Sequence, residues 1–313
     1  MINIGNQRLQ KKINRELIIA QLRQSGELSR SRIAELTGLG WGSVTKYTGE
    51  LLRENMIVEV RAEKSGGRNS VILGLNQDYK YIAGIDIGAG FMKAVVVDMS
   101  GAVRASHREA TKWDCEKAVV LAQINDMIVK VLDEAGISSA QLLAIGCGIS
   151  GGVDFSTGFL KRTGNFSDFK QVPLAGILQE RFGVPCFLSN SIIIRLLGIS
   201  KSPLIRHCRN VAYVWLGTGV GAGIISDGRI VVPTEDRPIG DIAHYMIRRD
   251  GVRCYCGLHG CLETVVGARH LLKRIRERSG RVFSDDDVTA WREIREAAAK
   301  GETGVCGILA EAG

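Results

Sequence analysis

Hydrophobic positions in the first 75 residues fall at helical spacing and then switch to alternation. Leu17, Ile18 and Leu22 mark a first helix, with Asn14 as its expected N-cap and Gly26 as its stop. Ser29 is placed to cap a second helix that carries Ile33, Ala34 and Leu36 and ends near Gly38. Leu28 before that cap and Ile33 four positions after it suit a hydrophobic staple. After the turn Leu39-Gly40-Trp41-Gly42, Ser43 is expected to cap a third helix. Its apolar positions Val44, Tyr47, Leu51 and Leu52 share one face, which turns Thr45, Lys46 and Glu50 to solvent. Residues 56–60 and 70–75 alternate, and Gly66-Gly67-Arg68 lies between them, which predicts a β-hairpin with a flexible basic tip.

Helices followed by such a hairpin predict a winged helix-turn-helix domain over residues 1–76. Ser43, Thr45 and Lys46, at the start of the third helix, are its candidate contacts to bases and phosphates. Arg68, on the glycine-hinged tip, is a candidate for minor-groove contact.

Beyond residue 76 the texture is that of an α/β protein. Apolar strands are expected at 81–88, 94–98 and 143–149, with a helix at about 116–135. The order strand, glycine turn, strand occurs twice, near residues 82–98 and 211–227, which suits two lobes with a ligand between them. The second turn, Gly217-Thr218-Gly219-Val220-Gly221-Ala222-Gly223, lets backbone N–H groups approach a phosphate. It also satisfies a loose dinucleotide fingerprint, but a strand and not a helix follows it, so a tight hairpin is the simpler reading.

Composition narrows the class. The chain has 313 residues, 45% of them hydrophobic and 24% charged, which excludes disordered, collagen-like and disulfide-scaffold proteins. Its 38 glycines against 5 prolines fit tight turns and close backbone approach to ligands. Of a net charge of +8, residues 1–75 hold +5, from 12 Lys+Arg and 7 Asp+Glu. A small basic domain on a nearly neutral body points to nucleic acid as partner. No secretory leader and no membrane-spanning run is evident, so a cytoplasmic protein with no membrane partner is expected. Its 8 cysteines are then reduced thiols or metal ligands.

The strongest chemical signal is His244 followed by Cys254, Cys256 and Cys261. Three cysteines within eight residues, plus an imidazole, suit a closed tetrahedral zinc site of structural type; His259 is a competing ligand.

The segment Cys254-x-Cys256-Gly257-x-x-Gly260-Cys261-Leu262-Glu263 resembles the ROK family of repressors, open reading frames and sugar kinases. Gly240-Asp241-Ile242-Ala243-His244 and the turn at 216–223 are similar to other motifs of that family, and the Gly66-Gly67-Arg68 wing looks like that of its repressors. The resemblance implies an actin-like ATPase (ribonuclease H-like) two-lobed domain over residues 77–313. Its first lobe would span about 77–190 and its second about 191–313. It also implies zinc held by His244, Cys254, Cys256 and Cys261, and a sugar or sugar phosphate held by Asn165, Asn190, Asp241, His244 and Glu263. Family members carry further strands, a glycine-rich adenosine loop and a closing helix after the cysteines, so a C-terminally incomplete second lobe is expected.

The departures point away from catalysis. Ser191 stands where family kinases carry the aspartate that acts as general base, and a hydroxyl is a poor proton acceptor at neutral pH. Phe91 replaces a small hydroxyl residue in the first phosphate loop, Asp241 replaces a glutamate and Ile193 an asparagine. The expectation is a non-enzymatic, sugar-responsive repressor of carbohydrate genes that binds a double-stranded DNA operator as a dimer. A sugar kinase fused to a DNA-binding domain is the alternative.

Overall fold

The computed structural model describes residues 4–65, 68–88, 90–112, 115–163, 169–232, 240–284 and 287–313. The N-terminal unit comprises α1 (Ile4–Ser25), β1 (Leu28–Ser29), α2 (Arg30–Thr37), α3 (Trp41–Arg53), β2 (Ile57–Ser65) and β3 (Arg68–Leu75). Its three strands form an antiparallel sheet in the order β1-β3-β2. Ile18, Leu22, Leu28, Ile33, Val44, Leu51, Ile57 and Leu73 form its core, which joins the apolar faces of the helices to the hairpin. Ser29 caps α2 by accepting from the Arg32 N–H, and Gly38 closes α2 in the left-handed conformation.

Three local expectations change. Helix α1 starts ten residues before Asn14, because residues 7–12 are good helix formers with no breaker among them. Asn14 is buried within it, and its side chain accepts from Gln10 Nε2 at 2.9 Å. Helix α3 begins at Trp41 with Gly40 as N-cap, so Ser43 sits inside the first turn and caps nothing. Glu50 is not a solvent-facing residue: it pairs with Lys11 at 2.9 Å and Arg15 at 3.4 Å, pinning α3 to α1.

The body starts with β4 (Tyr81–Ile87), β5 (Phe91–Val97), β6 (Val103–Ala110), α4 (Lys117–Ala135) and β7 (Leu142–Ile149). Then come β8 (Gly152–Asp154), β9 (Phe159–Arg162), α5 (Leu174–Phe182) and β10 (Cys186–Asn190). The five-stranded sheet runs β10-β7-β4-β5-β6. Strands β4, β5 and β6 form an antiparallel meander, and β7 and β10 add in parallel on the other side of β4. Helices α4 and α5 bury Ile124, Met127, Ile128, Leu174 and Leu178 in the core of this lobe.

Helix α6 (Ser191–Ser200) leads into β11 (Val211–Leu216), β12 (Val220–Ser226) and β13 (Arg229–Ile230), a second antiparallel meander. The repeated strand–turn–strand unit is thus β4–β5 and β11–β12, the first hairpin of each lobe. Ile192 and Leu196 of α6 lie against Gly221 and Gly223 of β12, where an added Cβ would come within 3.1 Å and 3.0 Å of them. The chain continues through the cysteine segment into α7 (Leu262–Val266), α8 (Ala268–Arg278), α9 (Asp287–Ala299) and α10 (Thr303–Ala310). Leu271, Leu272, Ile275, Ile294, Val305 and Ile308 make the core shared by the last three helices. No helix among the described residues is long and apolar enough to cross a membrane.

Candidate metal centre, effector cleft and nucleic-acid face

The cysteine segment folds back on the residues around His244. Leu262 N–H donates to Tyr245 O at 2.8 Å and Glu263 N–H to Ala243 O at 3.0 Å, which aligns the two stretches side by side. Cys254 N–H donates to Leu258 O at 2.7 Å, closing the knuckle between the first and third cysteines. Gly260 makes this possible: its φ is +62°, and a Cβ there would lie 1.6 Å from Arg248 O.

The result gathers His244, Cys254, Cys256 and Cys261, whose ligand atoms all lie within 4.8 Å of one another. Cys254 Sγ and His244 Nδ1 are 3.6 Å apart, as are Cys256 Sγ and Cys261 Sγ. Bonds of about 2.3 Å to sulfur and about 2.0–2.1 Å to nitrogen put the edges of a tetrahedron near these separations. The donor set and its spacing therefore fit a four-coordinate metal. His259 is not among the gathered residues. Burial raises the Cys254 and Cys261 thiols, so a bound cation would have to displace their protons.

Glu263 connects this centre to the second glycine turn. Its Oε2 accepts from Val220 N–H at 3.1 Å, at the start of β12. Gly219 permits the approach, since a Cβ there would lie 3.0 Å from the same oxygen. The Glu263 carboxyl is buried, and burial raises its pKa; the Val220 N–H and His244 oppose that shift, and Asp241 adds to it. Asp241, His244 and Glu263 thus share one electrostatic environment. Tyr255 joins them: its ring meets His244 edge-on at 5.0 Å between centroids, and its hydroxyl is raised by burial and by Glu263. The only signal for Tyr255 in the sequence is its position between two of the clustered cysteines.

Asn190 is a different case. It caps α6, accepting from Ile192 N–H at 2.8 Å, and donates to Gly151 O at 2.8 Å. Its side chain fixes the start of α6 against the turn after β7. Asn165 lies outside the described residues.

Between β4 and α6, Ser191 Oγ donates to Asp86 Oδ1 at 2.7 Å and Arg195 Nη2 to Asp86 Oδ2 at 2.6 Å. The Arg195 guanidinium lies over the Trp215 ring, 3.9 Å from its centroid. One arginine thereby ties β4 of the first lobe, α6 and β11 of the second. Neither Arg195 nor Trp215 carried a motif signal. Phe91 finds its partner on the neighbouring strand β6, with the Arg108 guanidinium 3.7 Å from its ring centroid.

In the N-terminal unit, Thr45 and Lys46 are exposed on α3, and Ser43 is half-buried in its first turn. The Lys46 ammonium lies 5.6 Å from the Tyr47 ring centroid. Arg68 opens β3 opposite Ser65; its side chain, and Gly66 and Gly67, lie outside the described residues.

An α/β body of the actin-like type, with a five-stranded mixed sheet, a second antiparallel meander and a cluster of one histidine and three cysteines, defines the class. The chain belongs to the ROK family, whose model matches residues 82–310. It is 30% identical over 312 residues to the xylose repressor of Caldicellulosiruptor bescii, spanning 97% of this chain and 77% of that protein. It is likewise 30% identical to the DNA-binding transcriptional dual regulator NagC of Escherichia coli, spanning 96% of this chain and 74% of that one. Among solved structures, a ROK family transcriptional regulator, a homologue of the E. coli MLC protein, shares the fold with a TM-score of 0.73 at 24% identity, over 96% of this chain and 76% of that one. A ROK family glucokinase from Streptomyces griseus shares it with a TM-score of 0.64 at 23% identity, over 74% of this chain and 75% of that one.

Proposed function

We propose that the chain is a sugar-responsive, DNA-binding transcriptional repressor, with residues 1–76 as a winged helix-turn-helix and residues 77–313 as the sugar-binding body. The observation that carries this reading is that its 30% identity to two named transcriptional regulators spans 96–97% of the chain, the N-terminal unit included. Thr45 and Lys46 would face DNA from the first turns of α3, with Ser43 and Arg68 as further contacts. A dimer would present two such helices to two half-sites.

Asp241, His244 and Glu263 would grip sugar hydroxyls, with Asn165 completing the set and Asn190 shaping its edge. Carboxylates suit this because each accepts from more than one hydroxyl. Zinc on His244, Cys254, Cys256 and Cys261 would supply a rigid cross-link that holds His244 and Glu263 in place. Because Glu263 also holds Val220 N–H, sugar contact at Glu263 would reach β12 and, through it, α6. A sugar that favours one lobe arrangement would then shift the placement of the DNA-binding units.

The cleft supports a regulator over a kinase. Ser191 offers no general base, and the Asp86 carboxylate is already engaged by Ser191 and Arg195. The experiment is a titration of the full chain on its selected DNA site with xylose, glucose and N-acetylglucosamine. A sugar-dependent change in DNA affinity is expected, and sugar binding by calorimetry with unchanged DNA affinity for every sugar overturns the switch. Sugar-dependent ADP release from ATP would establish the kinase alternative.

A further inference from the structure

The face that carries Thr45 and Lys46 also presents a large aromatic side chain that no capping or packing role explains. Trp41 is the first residue of α3 and is 57% exposed. Its indole N–H has no hydrogen-bond partner among the described residues. Gly40 and Gly42 flank it. Neither glycine has a positive φ, and a Cβ at either would meet nothing within 4 Å. Gly40 is the N-cap, a position that accepts glycine, whereas Gly42 lies inside the first turn, where glycine is a poor choice and the fold does not require it. A bare backbone on both sides of an exposed indole suits close approach of something outside the chain.

This inference rests on the DNA-binding reading above. The N-terminal residues of a recognition helix meet base edges in the major groove. An indole offers a flat apolar surface and one donor, with no acceptor. Thymine presents a C5-methyl group beside the O4 acceptor, which matches both features. Cytosine presents a donor where the indole also donates, adenine pairs its acceptor with a donor, and guanine has two acceptors but no apolar group. We propose that Trp41 is a specificity-determining residue that reads a thymine in the major groove, packing on its methyl group and donating to O4.

The test uses the full chain and the duplex it enriches from a random-sequence pool. Each thymine of that duplex is replaced in turn by deoxyuridine, which lacks only the methyl group. In the unmodified protein one replacement per half-site is expected to weaken binding about fourfold, the value of one buried methyl group. Trp41→Ala is expected to weaken binding to the thymine duplex about tenfold or more and to abolish that thymine–uracil difference. Trp41→Phe, which keeps the apolar face, is expected to keep it. Because the contact is not to phosphate, the slope of log affinity against log salt stays unchanged in Trp41→Ala, whereas Lys46→Ala flattens it by about one unit per half-site. Gly42→Ala is expected to leave thermal stability unchanged or higher while weakening DNA binding.

An equal thymine–uracil difference in the unmodified protein and in Trp41→Ala overturns the proposal. So does full DNA affinity in Trp41→Ala, which would leave a protein contact as the role of the exposed indole, and so does a flattened salt slope, which would place Trp41 on the backbone. A full chain that enriches no sequence overturns the regulator reading itself and this proposal with it; the other outcomes leave DNA binding standing.

Discussion

The Asp86 carboxylate and the Arg195 guanidinium, 109 residues apart in sequence, meet at 2.6 Å and join β4 to α6. The pair is partly shielded, with side-chain exposures of 37% for Asp86 and 22% for Arg195. The same guanidinium also carries the stack on Trp215. Arg195→Ala is expected to cost about 1–2 kcal/mol in urea unfolding and to shift the Trp215 emission. Ser191→Asp is expected to destabilise as well, by placing a second carboxylate where a hydroxyl now donates to Asp86. Unchanged midpoints in both variants would mean that the network does not join the lobes.

The metal centre predicts stoichiometric zinc. One equivalent per chain is expected by elemental analysis, and none in Cys254→Ser or Cys261→Ser. For a body of this size each kcal/mol lost moves the thermal midpoint by about 2–4 °C, so removing zinc by chelation is expected to lower it by many degrees. A metal-free chain with an unaltered midpoint would leave the four ligands as a cluster of thiols and an imidazole.

Two glycines are expected to tolerate no side chain. Gly240 has a φ of +83°, and a Cβ there would lie 1.8 Å from Ala222 O; Gly260 is closer still to Arg248 O, at 1.6 Å. Alanine at either cannot fit without backbone displacement and is expected to cost about 4 kcal/mol or more. Circular dichroism melts check both variants, and Gly260→Ala is also expected to lose zinc.

Glu263 separates charge from scaffold. Glu263→Gln keeps an acceptor for the Val220 N–H and removes a buried carboxylate whose pKa is raised by burial. A raised carboxyl pKa means that ionisation opposes folding, so at pH 7 stability is expected to hold or rise in this variant. Sugar affinity, read by calorimetry, is expected to fall more than tenfold. Glu263→Ala is expected to lose both stability and binding.

The first lobe has a pH-dependent pin between β6 and α4. Lys130 and His107 hold the Glu109 carboxyl down to about 2, and Glu109 and Glu134 raise His107. The depressed carboxyl contributes stability above its ordinary value of 4.5, and that contribution is lost as pH falls from there towards 2. The raised imidazole contributes below its ordinary value of 6.5 and loses that contribution as pH rises through its folded value. Both groups are partly exposed, so Glu109→Gln is expected to cost about 1 kcal/mol or less at pH 6 and nothing below pH 2. Urea midpoints across that range provide the check.

The sequence by itself determined what depends on neighbours along the chain. Helical and alternating periods set out α2, α3, the hairpin and most of the buried set from Ile18 to Leu73, because amphipathic faces follow from backbone geometry alone; Leu17 and Leu36, read at the same helical spacing, are exposed. Cys254, Cys256 and Cys261 were legible because a knuckle is closed by local turns, with Gly260 supplying a left-handed conformation. Cap positions were less secure: Asn14 and Ser43 have the right chemistry, but the helices around them extend upstream. Only the tertiary structure decided that Arg195 meets Asp86 and Trp215, that Glu263 holds Val220, that Asn190 is spent on a cap and that Trp41 stays bare. The cap of Asn190 on Ile192 is local, but its bond to Gly151, like the other contacts, depends on strand register and helix rotation between segments far apart in the chain, which no short-range pattern encodes.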